Sequence, residues 1–253
     1  MIWFFTTVFY QPLFNLLVWI YDLLPNHDLG LSIIILTVLV KLALFPVSWM
    51  QIKAQKELQD IQPKLTELKE RFKNDKQGLA QAQMELFQAH KINPLASCFP
   101  VIIQLPFLIA IARVFYSGIG DEGLSLLYPF VHNPEHLSSS FLGILNLTDT
   151  HTLILPIIAG ILQGLQTWML TAKAQRPPKV PGSRDEDLTV IMNRQMLFIM
   201  PVMTAFAGYR FAAGLSLYWL VNIVITVIQQ LIFLRQNGGA KTDTLEVLPP
   251  AAV

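Results

Sequence analysis

Five stretches of the chain are apolar for long enough to cross a hydrocarbon core about 30 Å thick. They are Leu29–Met50, Pro94–Tyr116, Leu153–Leu170, Arg194–Tyr209 and Ala213–Leu234. The fourth is short, and spans either with little tilt or by starting earlier, at Leu188. The first 24 residues carry a different pattern. Thr7, Gln11, Asn15 and Asp22 fall within an arc of about 80° at 100° per residue, and the rest of that surface is Trp, Phe, Leu, Val and Ile. Such a segment predicts an amphipathic helix lying in the membrane interface. A spanning helix, kinked at Pro12, is the alternative. Between the first two spans the period shortens to that of a thin apolar seam. Leu58, Ile61, Leu65, Leu68 and Phe72 recur every three or four residues, as do Leu79, Ala82, Leu86 and Ala89, with turn-rich Asn74–Gly78 between them. This spacing predicts an antiparallel helical hairpin, supported by the Glu67–Arg71 pair one turn apart, with Pro63 at a kink or in a first turn. A two-helix hairpin has little core and is expected to be mobile unless it docks.

The predicted fold is therefore an all-α integral membrane protein. It has an N-terminal interfacial helix (1–28), a five-helix core (29–236) that includes the hairpin (51–93), and a disordered tail (237–253). The stretch from Arg176 to Arg184 reads as a flexible connector, after which Asp185, Glu186 and Asp187 suit the start of a helix.

Composition agrees: 53% of the 253 residues are hydrophobic and 14% charged, against about 25% charged in a soluble domain. The distribution of cations sets an orientation. Lys53, Lys56, Lys64, Lys69, Arg71, Lys73, Lys76 and Lys91 fall in one loop, and Lys173, Arg176, Lys179 and Arg184 in another. Ser117–Thr152 has no Lys or Arg and carries Asp121, Glu122, Glu135 and Asp149. The positive-inside rule places the two basic loops and the C-terminus in the cytoplasm and the N-terminus outside, leaving Arg210 as the one outside cation. A net charge of +1 gives no basis for sequence-specific nucleic-acid binding. The N-terminus has no basic residue before its apolar stretch, so no cleavable leader is expected. The single cysteine, Cys98, reads as a small buried hydrophobe, and no intrachain disulfide is possible.

One residue breaks the apolar pattern. Lys41 sits inside the first span, and no acidic residue lies between Leu29 and Gln55. A cation at that depth costs about 2.5–3.5 kcal/mol on insertion scales and usually faces a cavity or a partner. Thr37 lies one turn away on the same face. Other spans contribute Gln104, then Gln163, Gln166 and Thr167, then Trp219, Asn222, Thr226, Gln229 and Gln230 on one side of the last helix. Taken singly these could be helix–helix hydrogen-bond partners. With an uncompensated lysine they predict a shared hydrophilic recess. Met192, Met196, Met200 and Met203 form one helical face, which spacing alone assigns to core filling. No nucleophile–base set, phosphate loop or helical His pair is present, with Pro134 interrupting His132 and His136. Neither an enzyme, nor a metal, nor another cofactor is expected.

The segment NPLASCFPVIIQLPFLIAIARV (Asn93–Val114) closely resembles the second span of the YidC/Oxa1/Alb3 membrane protein insertase family. Three further segments are similar to that family: the first span running into the hairpin, ILPIIAGILQGLQTWM, and RFAAGLSLYWLVNIVITVIQQ. The likeness covers nearly the whole chain in order. It implies five helices around a groove open to the cytoplasm and lipid, and nucleotide-independent insertion of nascent membrane proteins, alone or beside the Sec translocon, in a bacterial plasma membrane. It places Lys41 as the basic groove residue, where many relatives have arginine. It assigns Gln166 or a neighbour as the groove glutamine and Trp219 as the groove aromatic, within a substrate groove of Lys41, Thr37, Gln104, Gln163, Gln166, Trp219 and Asn222. The chain carries no large extracytoplasmic domain, no lipid-attachment cysteine and no long basic tail, so strong ribosome binding by the tail is not expected. The ribosome remains a partner for the hairpin. A small-solute anion transporter or channel is the alternative, since a cation in a cavity also serves anions. It is disfavoured by the lack of a visible inverted repeat.

Overall fold

The computed structural model describes residues 2–72, 75–93, 99–119, 121–171 and 198–237. The acidic triplet at 185–187, Met192, Met196, Cys98 and the tail lie outside them. The described chain is overwhelmingly helical. Ile2–Phe5, a π-helical turn Thr6–Tyr10 and Gln11–Leu23 run end to end as α1. Pro12 is accommodated in the first turn of Gln11–Leu23. The later helices are α2 (Leu29–Ala43), α3 (Phe45–Asp60), α4 (Gln62–Arg71), α5 (Lys76–Ala89) and α6 (Phe99–Arg113), the last extended by a π turn to Gly118. Then come α7 (Ile154–Thr171), α8 (Met200–Arg210) and α9 (Ala213–Asn237).

The first apolar run is not one straight helix. It breaks at Leu44, and α2 and α3 meet at 69°. Pro46 lacks the N–H that would bond the Leu42 carbonyl, which weakens the ladder at that point. By length and composition α1 (Trp3–Leu23) and α9 (Ala213–Gln236) are each able to cross a membrane, as is the bent α2–α3 pair taken together. Ile103–Tyr116 and Ile154–Met169 are shorter apolar helices.

One end of the bundle is capped by the segment between α6 and α7. It contains a single turn, Asp121–Leu124, and a minimal antiparallel ribbon pairing Ser140 with Asn146 and Phe141 with Leu145. Its side chains Val131, Leu137 and Leu147 are buried with Phe14, Leu17, Tyr21, Leu29, Ile33, Ile111 and Leu215 in the main core. Its backbone is tied down on three sides. Asp28 caps α2 by accepting the Leu31 N–H at 2.8 Å, and its second oxygen accepts the Leu142 N–H at 2.5 Å. Tyr21 Oη accepts the Ser138 N–H at 2.9 Å. The Ala213 and Gly214 N–H groups donate to Asp149 O and Leu147 O. Gly30 is required where Phe141 lands, because a Cβ there would overlap the ring.

The polar stripe of α1 is turned partly inward. Gln11 and Asn15 donate to Leu126 O at 3.0 and 3.1 Å, and Asn15 Oδ1 accepts the Tyr128 N–H at 2.6 Å. Arg113, at the end of α6, donates to Thr6 Oγ1 at 2.8 Å and lies 4.7 Å from the centre of the Tyr10 ring. It is a second cation at the capped end, beside the expected Arg210.

α7 packs mainly on α8 and α9. The Gly160 and Gly164 pair fits against Pro201 and Ala205 of α8. The small face of α8 is thereby used, and Met200 and Met203 stand exposed, 51% and 55%, on its other side. The core-filling expectation for these two methionines is corrected: a helix packed through small residues turns its long ones outward. At the opposite end, α4 and α5 pack through Ile61, Leu65, Leu68, Ala82 and Leu86, a small cluster separate from the main core. Because α3 continues to Asp60, this pair begins at Ile61.

Candidate functional site

A cavity of about 340 Å³ lies between the α2–α3 bend, α6, α7 and α9. Along α9 its wall runs from Tyr218 to Gln230, about 18 Å of helix, leading away from the capped end. The bend at Leu44 is what lets a single helical run curve around this space. Lys41, Leu44, Ser48, Gln51 and Gln55 follow each other at intervals of three and four, and all line it.

Of the residues singled out from sequence, Lys41, Gln104, Gln163, Gln166, Trp219 and Asn222 line the cavity together. Thr37 does not. It is 2% exposed, and its hydroxyl donates back to Ile33 O at 2.6 Å. The shared helical face is real, but one turn above Lys41 that face is already enclosed in the main core beside Ile33 and Leu36. The flexible lysine stem reaches the recess where the short threonine cannot.

Lys41 Nζ donates to Thr226 Oγ1 at 3.1 Å, and Thr226 donates in turn to Asn222 O at 2.7 Å. Gln104 Nε2 donates to the Tyr218 hydroxyl on the opposite wall. Among the described residues no aspartate or glutamate lines the cavity. The cation is therefore held by a neutral hydroxyl alone among the described residues, and its field reaches the recess uncompensated. Asn222, Gln229 and Gln230 also line the cavity, and the side-chain carbonyl oxygen of each is buried without a hydrogen-bond partner. A space of this size admits at least ten waters.

Sequence reasoning missed Ser48, Gln51, Gln55 and Tyr218 as lining residues. The first three were legible as a continuation of the three-and-four spacing from Lys41. Ser48 falls inside the first span by sequence, while Gln51 and Gln55 fall in the loop that starts where the apolar run ends at Met50. Tyr218 reads as one more aromatic of an apolar span, and only its contact with Gln104 marks it.

An apolar helical bundle with helices long and apolar enough to cross a membrane, and a polar, lysine-bearing recess, defines a helical integral membrane protein. The sequence profile of the 60Kd inner membrane protein family matches residues 19–240. The chain is similar to the membrane protein insertase YidC of Fusobacterium nucleatum, with 33% identity over 211 residues, 83% of this chain and 88% of that protein. It is similar to the proteins of the same name from Cupriavidus taiwanensis, with 34% identity over 93% of this chain and 37% of that protein. For the one from Citrifermentans bemidjiense the identity is 33% over 87% and 36%. The chain thus spans nearly all of one relative and little more than a third of the other two. It belongs to the 60Kd inner membrane protein family, the YidC/Oxa1/Alb3 group.

Proposed function

We propose that this protein is an insertase, which moves the hydrophilic flank of a nascent membrane protein part-way across the bilayer through the lysine-bearing cavity. The observation that carries this reading is Lys41 itself, in a cavity lined in part by amides and hydroxyls, with no acidic residue lining it among the described residues. A carboxylate at the centre of a span costs about 2.5–3.5 kcal/mol. A water-filled recess shortens the dry path, and a lysine about 4 Å from that carboxylate attracts it by about 4 kcal/mol at an effective dielectric of 20. The apolar helix that follows gains about 0.5 kcal/mol per Leu or Ile, roughly 10 kcal/mol over twenty such residues. That gain drives the process, so no nucleotide is required. Gln104, Gln163, Gln166 and Asn222 hydrogen-bond the flank in transit, and Trp219 forms part of the aromatic wall.

In this reading five helices cross the membrane, with the N-terminus outside and the C-terminus in the cytoplasm. α1 lies across the outer ends. Its contacts from Thr6 to Tyr21 go to Arg113, Leu126, Tyr128 and Ser138, all at the capped end, which favours an interfacial helix over a spanning one. The α4–α5 pair stands at the cytoplasmic mouth, where it meets the substrate, the ribosome or the Sec translocon.

The test is complementation of an insertase-depleted cell. Lys41→Arg is expected to restore insertion of substrates with acidic flanks. Lys41→Ala is expected to lower it roughly tenfold, with protein level unchanged. Full rescue by Lys41→Ala would remove the charge from the mechanism. Selective anion flux through liposomes holding the purified protein would favour the transporter reading instead.

A further inference from the structure

Arg113 is a cation that the recess does not use. The capped-end segments around it avoid positive charge: residues 2–23 and 117–152 contain no Lys or Arg. Arg210, the other cation there, ends α8, where a positive charge suits the helix terminus. Arg113 has no such place, because its helix runs on through the π turn to Gly118. The guanidinium is half-buried between α6 and the π turn of α1. Its two partners, the Thr6 hydroxyl at 2.8 Å and the face of the buried Tyr10 ring, are both neutral. Among the described residues no carboxylate pairs with it, and only one N–H of its fork has a protein acceptor. The face of α6 that carries it is open to lipid. Ile109, one turn before Arg113, is 50% exposed, and Tyr116, close to one turn after, is 61% exposed. Trp3 and Phe4 stand exposed on α1 about a turn before Thr6. Aromatic side chains so placed mark the level of the headgroups in a membrane protein.

A guanidinium at that level, laid on an aromatic ring and with most of its fork unused, lacks an oxyanion. Arginine binds phosphate through two parallel N–H bonds, and basic pockets between membrane helices take lipid headgroups in this way. The bilayer supplies a phosphate at this depth in each of its phospholipids. We propose that Arg113 anchors a phospholipid site at the junction of α1 and α6. The phosphate of a lipid in the capped-end leaflet bonds the guanidinium, and its acyl chains lie along Ile109. The bound lipid neutralises the one cation of α6 and ties the first turns of α1 to that helix. The site stands on the membrane character of the chain and is independent of the insertase reading.

The experiment uses the full chain in a nonionic detergent, titrated with dioctanoylphosphatidylglycerol and, as the phosphate-free control, dioctanoyl galactosylglycerol. Native mass spectrometry reads the affinity for the first lipid bound. The wild type is expected to prefer the phosphatidylglycerol about fivefold or more, and Arg113→Gln to lose that preference. Arg210→Gln and Thr6→Val leave the Arg113 guanidinium in place, and are expected to keep the preference within about twofold. A merely structural tether fails in Arg113→Gln and Thr6→Val alike, so equal losses in those two variants would overturn the site. An unchanged preference in Arg113→Gln would do the same. Displacement of the lipid by millimolar inorganic phosphate would overturn the lipid and make this a site for free phosphate. The wild type alone gives a second reading, should Arg113→Gln not stay monodisperse and helical. Phosphatidylglycerol is expected to slow amide hydrogen exchange in residues 3–10, and the galactolipid is not. Equal exchange with the two lipids would contradict the proposal.

Discussion

Asp28 and Lys41 stand near the two ends of α2, and both charges suit the helix dipole there, negative at the N-terminus and positive at the C-terminus. Their roles differ. Asp28 is spent on structure, with both carboxylate oxygens taken by the Leu31 and Leu142 N–H groups. Asp28→Ala is expected to cost about 2 kcal/mol, the upper range for a lost cap, and to speed amide hydrogen exchange at Leu142. Asp28→Asn, which keeps a capping oxygen, is expected to cost less than half as much. Lys41 is spent on nothing comparable, since its partner is a neutral hydroxyl. That difference was half legible in the sequence. An unpaired lysine in an apolar run announced a cavity, whereas the second partner of Asp28 lies 114 residues away and left no local trace. Thr37 shows the same limit from the other side. Helical spacing gives the face a residue occupies, but not how far along the helix the cavity extends.

Among the elements, α7 and α8 depend on small residues. A Cβ added at Gly160 would sit 2.9 Å from the backbone oxygen of Pro201 and 3.1 Å from Ala205 Cβ. Gly160→Leu therefore has to move backbone, and is expected to destabilise the pair by at least 1–3 kcal/mol. A detergent-based thermal melt reads this directly. Gly143, by contrast, has nothing within 4 Å of an added Cβ but a φ of +69°. Gly143→Ala is expected to cost only about 1 kcal/mol, the left-handed backbone penalty. At the N-terminus, Arg113→Ala removes the hydrogen bond to Thr6 and the contact with Tyr10, and is expected to raise protease sensitivity within the first ten residues. The helices themselves were well marked in the sequence, because apolar length and three-and-four spacing are local signals. The 69° bend was not drawn out, although Pro46 stood in the run. A proline signals a weakened ladder, but the angle is set by what packs on either side. The inward turn of the α1 stripe was equally hidden, since polar residues facing a loop and polar residues facing headgroups give the same pattern.

At the scale of the whole molecule, one end is sealed and the other holds the recess. The segment between α6 and α7 buries Leu147 and bonds to α2, α8 and α9. The cavity begins below Tyr218 and leads towards the α4–α5 end. Such an asymmetric vessel suits a reaction in which a polar segment enters from one side and its apolar neighbour leaves sideways into lipid. The central claim is that a substrate occupies the recess while it inserts. Site-specific photo-crosslinking during synthesis of a short single-span protein tests it most directly. Probes would be placed at Trp219 and Gln163 within the cavity, and at Val202, 67% exposed on the outer face of α8, as a control. The account predicts crosslinks to the nascent chain from Trp219 and Gln163 that vanish once insertion is complete, with none from Val202. Silence at both cavity positions in a protein that still inserts its substrate would contradict it.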